Sequence, residues 1–303
     1  MDGILNINKP EGRTSFSIVA MVRRLTGENR VGHAGTLDPA ASGVLPVCLG
    51  QGTRVAEFLV DATKVYRADI ELGVATDTYD ASGTITQRGD ASKVNREKLR
   101  TALEAFCGEI QQVPPMFSAV KHQGKPLYKL ARAGITVNRR SRPAKINHIE
   151  LKEWRPPVAT VEVECGKGTY IRSLAHDLGQ ALGCGASLKS LVRLRCGLFD
   201  IKDAVSVHNL EDAFRYGYWQ RFLHPIDSVL SHWKAMIVSD DRIQALRNGS
   251  PLVLEGDSSD ILDVATGSAP GNRCRVYTPT GCLLCVLRFN PERGQWQPDK
   301  VFL

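Results

Sequence analysis

The sequence predicts an α/β chain, in which a mixed sheet flanked by helices carries a cleft and is followed by a small all-β unit. Stretches whose apolar residues alternate singly, the period of a half-buried strand, are interleaved with stretches whose apolar residues recur every three or four positions, the period of a helix. From about Val238 the texture changes to short apolar runs separated by Gly, Pro, Asp and Ser, the pattern of a small β-rich unit.

In order, Gly3 to Asn8 reads as a short strand and Lys9-Pro10-Glu11-Gly12 as a turn. Thr14 or Ser15 caps a helix to about Thr26, with Ile18, Val22 and Leu25 on one face and Gly27 as its stop. Tyr66 to Leu72 is a strand that sets Tyr66, Ala68, Ile70 and Leu72 against Arg67, Asp69 and Glu71. Val94 to Phe106 is helical, with Leu99, Leu103 and Phe106 in phase, and Pro114-Pro115 interrupts any regular element that follows. Pro126 to Ala133 reads as a short helix in which basic residues alternate with Leu127, Tyr128 and Leu130. Val158 to Cys165 alternates as a strand, after which Tyr170, Leu174, Leu178 and Leu182 recur at helical spacing up to Gly183. In the tail, Leu252 to Leu254, Cys274 to Tyr277 and Gly281 to Phe289 read as strands. A length of 303 residues fits two units, drawn at 1–235 and 236–303.

The formal charge is +7, and its distribution matters more than its size. Between Lys121 and Arg155 ten basic residues (Lys121, Lys125, Lys129, Arg132, Arg139, Arg140, Arg142, Lys145, Lys152 and Arg155) face only Glu150 and Glu153. That segment carries +8 and the rest of the chain −1. A single segment holding the whole excess points to a polyanionic partner more than to an evenly solvated lysine surface. The tail from Val238 has seven basic residues against eight acidic ones and is near neutral.

The eight cysteines are scattered, and only Cys282 and Cys285 have the CxxC spacing. No second Cys/His pair completes a zinc site, so these two are expected to be buried packing thiols. No phosphate-binding GxxxxGK[ST] loop and no GxGxxG after a strand occurs, so no nucleotide cofactor is expected. Without a basic, apolar leader or a run of 18 apolar residues, a cytoplasmic protein is expected.

One loop concentrates the chemistry. Residues 32 to 50, Gly-His-Ala-Gly-Thr-Leu-Asp-Pro-Ala-Ala-Ser-Gly-Val-Leu-Pro-Val-Cys-Leu-Gly, place Asp38 between glycines that permit turns and close chain approach. Pro39 steers Asp38 away from helical geometry, so the loop can hold one carboxylate toward a cleft. Taken alone, the pair also reads as an ordinary Asp-Pro turn.

Six further stretches accompany it. They are Leu5-Asn6-Ile7-Asn8-Lys9-Pro10, Lys64-Val65-Tyr66-Arg67-Ala68, Thr76-Asp77-Thr78-Tyr79-Asp80-Ala81-Ser82-Gly83, Gln112 to Lys121, Gly166 to Ser173 and Leu191-Val192-Arg193-Leu194-Arg195. Together with the Asp38 loop they resemble, in the same order, the motifs of the bacterial TruB family of tRNA pseudouridine synthases. In that family the Asp of Gly-His-x-Gly-x-Leu-Asp-Pro is the catalytic residue.

The resemblance implies an enzyme that isomerises uridine to pseudouridine at position 55, in the T-loop of tRNA, with Asp38 acting on a flipped-out base. That reaction breaks the N1–C1′ bond and joins C5 to C1′ with no oxidation or hydrolysis. One carboxylate therefore suffices in principle, with neither metal nor cofactor. Desolvation would raise the pKa of Asp38, and the family's partner for it is Arg172, whose planar fork can grip a carboxylate with two hydrogen bonds.

Tyr66 matches the tyrosine that stacks on the uracil and serves as a base late in the reaction. His33 matches the histidine that fills the space left by an extruded nucleotide. Tyr170 and Leu191 match residues lining the uridine pocket, Asp80 matches an acid near the substrate RNA, and Lys9 sits in the Asn-Lys-Pro motif that supports the active-site loop. The tail resembles a PUA domain, the segment at about 121–155 a basic RNA-binding insertion, and the chain a monomer acting on the T-arm without membrane or obligatory protein partner.

Three other readings exist. The archaeal and eukaryotic branch of the family uses a guide RNA and partner proteins, and a non-catalytic RNA-binding protein would need only the basic segment and the tail. A hydrolase would want two placed carboxylates or a Ser/His/Asp set. The nearest lure for it, His176-Asp177, consists of adjacent helical residues that diverge.

Overall fold

In this computed structural model, which describes residues 1–252, 261–264 and 273–302, the chain opens with strand β1 (Gly3–Lys9) and helix α1 (Ser15–Thr26). The helix starts where its sequence says it must. The Thr14 side chain accepts from the Ser17 amide at 2.9 Å, satisfying one of the free N–H groups of the first turn. Gly27 ends it in the left-handed conformation, with φ 68°, which lets its amide close back onto Arg23.

Strands β2 (Val31–His33) and β3 (Ala41–Leu49) bracket the Asp38 loop. They are followed by β4 (Lys64–Leu72), helix α2 (Arg96–Glu104), β5 (Gly108–Gln112) and the short helix α3 (Leu127–Arg132). Next come β6 (Arg142–Arg155), β7 (Val158–Cys165), helix α4 (Ile171–Ala181) and β8 (Ala186–Cys196).

These strands join one mixed sheet in the order Val205–Ser206, β1, β3, β8, β4, β7, β6, β5, with β2 also paired to β3. β3 and β8 run parallel and most other neighbours antiparallel. The parallel pair sits next to the Asp38 loop, because Leu191, Val192 and Arg193 of β8 face Ala41, Ser42 and Gly43 of β3. Gly43 has φ +104°, and a Cβ there would fall 2.2 Å from the Arg193 carbonyl. Only glycine fits this crossing.

The expected alternation of β4 holds, with Ala68, Ile70 and Leu72 buried and Arg67 exposed. α2 is shorter than its apolar phase suggested, because the Asn95 side chain caps it by accepting from Lys98 N at 2.9 Å. The basic segment divides in two. Residues 142–155 form β6 inside the main sheet, whereas 121–141 hold a two-stranded ribbon, α3 and irregular chain outside it.

The tail forms its own five-stranded sheet, in the order β10 (Ile261–Val264), β9 (Lys234–Val238), β11 (Arg273–Tyr277), β12 (Leu283–Asn290), β13 (Gln295–Val301). Among the described residues one helix, α5 (Asp240–Arg247), accompanies this PUA-like unit. Of the expected strand Leu252 to Leu254 only Leu252 lies among the described residues, bridged to Trp296. Cys285 is buried as expected, but Cys282 is exposed, because it precedes the first residue of β12 and lies outside the packed layer.

The tail shares a core with the main sheet. Val286 and Phe302 pack with Ile4, Val44, Cys48, Leu230 and Trp233. The Arg273 guanidinium lies over the rings of Phe58 and Trp233 at 5.3 and 5.5 Å, Lys300 pairs with Glu57 at 2.7 Å, and Arg54 donates to the Val301 carbonyl.

Candidate active site

Asp38 lies between β2 and β3 on a loop tied down from several sides. The Ser15 hydroxyl donates to the Leu37 carbonyl at 3.0 Å and accepts from the Leu37 amide at 2.9 Å. The Asp38 carbonyl accepts from Ala41 N at 3.0 Å, and the Pro39 carbonyl accepts from Gly12 N at 2.8 Å. This leaves the Asp38 carboxylate with 42% of its side chain open.

Arg172 enters from the first turn of α4 with only 6% of its side chain exposed. Its Nε lies 2.9 Å from Asp38 Oδ2. The expected two-point grip on Asp38 does not form. Nη1 instead faces Asp80 Oδ2 at 3.5 Å and donates to the Thr78 carbonyl at 3.5 Å, while Nη2 donates to the Phe117 carbonyl at 2.7 Å. The reason is burial, since five N–H donors away from water must each find an acceptor, and two carboxylates and two carbonyls surround this one.

Asp80 is in turn held by Thr78 Oγ1 at 2.7 Å and Ser82 N at 3.0 Å. Surrounding protein displaces water from Asp38 and raises its carboxyl above the ordinary aspartate range. Arg172 opposes the rise, Asp80 adds to it, and Lys9 opposes it.

Lys9 was expected among the substrate-binding residues, as a support for the active-site loop. It is fully buried, with Nζ donating to the carbonyls of Pro10 at 2.9 Å, Arg13 at 2.7 Å and Pro39 at 3.4 Å. Burial lowers its pKa to about 8, against the pull of Asp38 and Glu11. Lys9 therefore braces the residue after Asp38 from behind the loop.

Tyr170 immediately precedes α4, and its backbone is clamped by Gln112, which accepts from Tyr170 N at 2.8 Å and donates to its carbonyl at 3.0 Å. Burial pushes the Tyr170 phenol up, and the nearby Asp38 charge adds to this. Leu191 packs between the two main core clusters, its backbone paired to Ala41 and Ala68.

Tyr66 packs against the same clusters, and burial raises its phenol pKa while the Arg193 guanidinium opposes the rise. His33 ends β2 with Nδ1 buried and no hydrogen-bond partner among the described residues. Burial and the Arg193 charge hold its imidazole below the usual histidine pKa.

Arg193 is the residue that sequence reasoning missed. Its Nε donates to the Val44 carbonyl at 2.6 Å and Nη2 to the Gly35 carbonyl at 3.2 Å, so it joins the two sides of the Asp38 loop, and its charge acts on both Tyr66 and His33. It stood inside a quoted motif, but nothing in its spacing marked it as buried. Asp38, Arg172, Asp80 and Tyr170 thus form one group, with Lys9 behind it, and Tyr66, His33 and Arg193 form a second that shares the loop.

The chain matches two family models, the N-terminal domain of the TruB family pseudouridylate synthases over residues 23–171 and the C-terminal domain of tRNA pseudouridylate synthase B over residues 172–231. It is 47% identical to the tRNA pseudouridine synthase B of Dehalococcoides mccartyi strain BAV1, covering 100% of this chain and 97% of the relative. To the protein of that name from Syntrophotalea carbinolica it is 47% identical, covering 100% and 98%.

Among solved structures, a Cbf5-Nop10-Gar1 complex matches at 29% identity and TM-score 0.76, covering 99% of this chain and 85% of the other. An H/ACA RNP bound to a substrate RNA containing 2′-deoxyuridine matches at 27% and TM-score 0.75, with coverage of 99% and 85%. A lone open carboxylate braced by a buried arginine, on a chain related end to end to these enzymes, places it in a single lineage, and the chain belongs to the TruB family of pseudouridylate synthases.

Proposed function

We propose that this protein isomerises uridine to pseudouridine at position 55 in the T-loop of tRNA, with Asp38 as the reacting carboxylate. The observation that carries the reading is the 2.9 Å contact between a partly open Asp38 and a buried Arg172. A guanidinium fixed in that place keeps the carboxylate charged in a cleft that otherwise favours its neutral form.

The uridine swings out of the RNA fold and enters beside Asp38. Tyr66 stacks on the ring, Tyr170 and Leu191 line the pocket, and His33 occupies space in the RNA stem that the base has left. The N1–C1′ bond breaks, the detached uracil turns, C5 bonds to C1′, Tyr66 assists removal of the C5 proton, and N1 takes up a proton from solvent, so the product is an isomer of the substrate. Asp80 acts through Arg172, and no cofactor is required.

Residues 1–235 are the catalytic domain and 236–303 the PUA-like one. The basic chain from about 121 to 155 lies along the phosphate backbone. The enzyme acts as a cytoplasmic monomer on the T-arm alone. Its solved relatives at 27–29% identity include proteins in complexes with Nop10 and Gar1, so a guide-RNA mode is the alternative. Relatives at 47% identity are named for tRNA, which favours tRNA.

Tritium release from C5-labelled uridine in a tRNA transcript, with the product site mapped, tests the reading. The expected result is one modified T-loop position, activity on a bare T-arm, and at least about a thousandfold loss in Asp38→Asn with RNA binding kept. Activity only with an added guide RNA, or wild-type turnover in Asp38→Asn, overturns it.

A further inference from the structure

Helix α4 meets the turn carrying Asp80 at two points one helical turn apart. At the first, Arg172 Nη1 reaches Asp80 and the Thr78 carbonyl, each at 3.5 Å. At the second, four residues on and therefore on the same helix face, the His176 ring stacks on Tyr79 with centroids 4.0 Å apart and an interplanar angle of 15°.

Tyr79 directly precedes Asp80 and has φ +66°, a left-handed conformation that costs a residue with a Cβ free energy. Such strain persists only where the surroundings over-determine it. Here Tyr79 O accepts from Leu188 N at 2.9 Å, Ala81 N donates to Leu188 O at 2.9 Å, and Thr76 Oγ1 donates to Asp80 O at 2.7 Å. His176 Nδ1 is buried with no hydrogen-bond partner among the described residues, so it is the face of the ring that engages.

We propose that His176 and Tyr79 are a positioning pair for the isomerisation. Their stack holds the strained turn on α4 so that Asp80 occupies the Nη1 edge of Arg172 and leaves Nε aimed at Asp38. The proposal rests on the reading of Asp38 and Arg172 as the reacting centre. Neither ring touches the reacting atoms.

The test is kcat and KM by tritium release, together with the thermal midpoint, for the full chain on a tRNA transcript. His176→Ala is expected to lower kcat about tenfold with KM changed by less than about twofold. His176→Phe, which keeps a stacking face, is expected to restore kcat to within about twofold. In an Asp80→Asn background the alanine change is expected to add less than about twofold, because two residues acting through one clamp are not additive.

Unchanged kcat in His176→Ala overturns the proposal. So does a phenylalanine variant as slow as the alanine one, or a full tenfold effect on top of Asp80→Asn. If His176→Ala does not fold, Tyr79→Gly carries the test, since it suits the left-handed turn but removes the ring. It is expected about tenfold slower, and wild-type kcat overturns the proposal. Wild-type turnover in Asp38→Asn would instead defeat the reading of the centre itself, a separate result.

Discussion

Arg172 reaches Asp38 through Nε alone, at 2.9 Å, while Nη1 faces Asp80 at 3.5 Å and Nη2 is bonded to the Phe117 carbonyl at 2.7 Å. One guanidinium therefore organises three directions at once, and its value lies in its shape as much as in its charge.

Lysine keeps the charge but presents a compact head on a flexible stem. Arg172→Lys is expected to lower kcat about a hundredfold with little change in KM. Single-turnover rates on a tRNA transcript check this, and a wild-type rate would show that charge alone suffices.

Burial raises the Asp38 carboxyl above 3.8, the ordinary aspartate value, and the Asp80 charge adds to the rise. With the carboxylate as the working form in the proposed reaction, kcat/KM should fall with acid at a higher pH than an unshifted aspartate would give. Asp80→Asn is expected to move that limb to lower pH. A carboxyl whose folded pKa is raised favours folding below its unfolded value and loses that contribution as pH climbs through the folded one. Asp38→Asn, inactive, is thus expected to melt no lower than wild type at about pH 7. A limb unmoved by Asp80→Asn, or a clear drop in melting temperature for Asp38→Asn, would contradict this.

Lys9→Met removes the donor shared by the Pro10, Arg13 and Pro39 carbonyls. The expected cost is about 3 kcal/mol of folding free energy, accompanied by slower turnover because Pro39 follows Asp38. Urea denaturation beside a rate assay measures both. An unchanged midpoint would mean that the carbonyls find other donors.

RNA affinity is expected to weaken steeply with salt, as condensed counterions are released. Replacing Lys125, Lys129 and Arg132 together by Gln should reduce the slope of log affinity against log salt by about 2, with kcat at saturating RNA unchanged. Filter binding across a salt series reads it. An unaltered slope removes this segment from the phosphate contacts.

Features set by local chemistry were legible in the sequence. The Thr14 cap, the Gly27 stop, the face of β4 and the span of β7 follow from a few neighbouring residues. Asp38 and Arg172 were legible as a pair only through the family motifs, because their meeting depends on how α4 docks against a distant loop. What stayed hidden were outcomes of packing. The sharing of Arg172 between two acids, the burial of Lys9 and the bracing by Arg193 are set by which acceptors happen to surround a cation once water is excluded. Cys282 shows the same limit, since a shift of two residues in a strand start decides which side of the surface a thiol occupies.

The shared core beneath β3 means that the two ends of the chain are mechanically linked. Val286 and Phe302 belong to the same buried cluster as Val44, whose carbonyl receives Arg193. A version of the chain cut before Leu283 would remove Val286 and Phe302 from the cluster that holds Val44 at the end of the Asp38 loop, so the last strands serve as a foundation and not as a removable attachment.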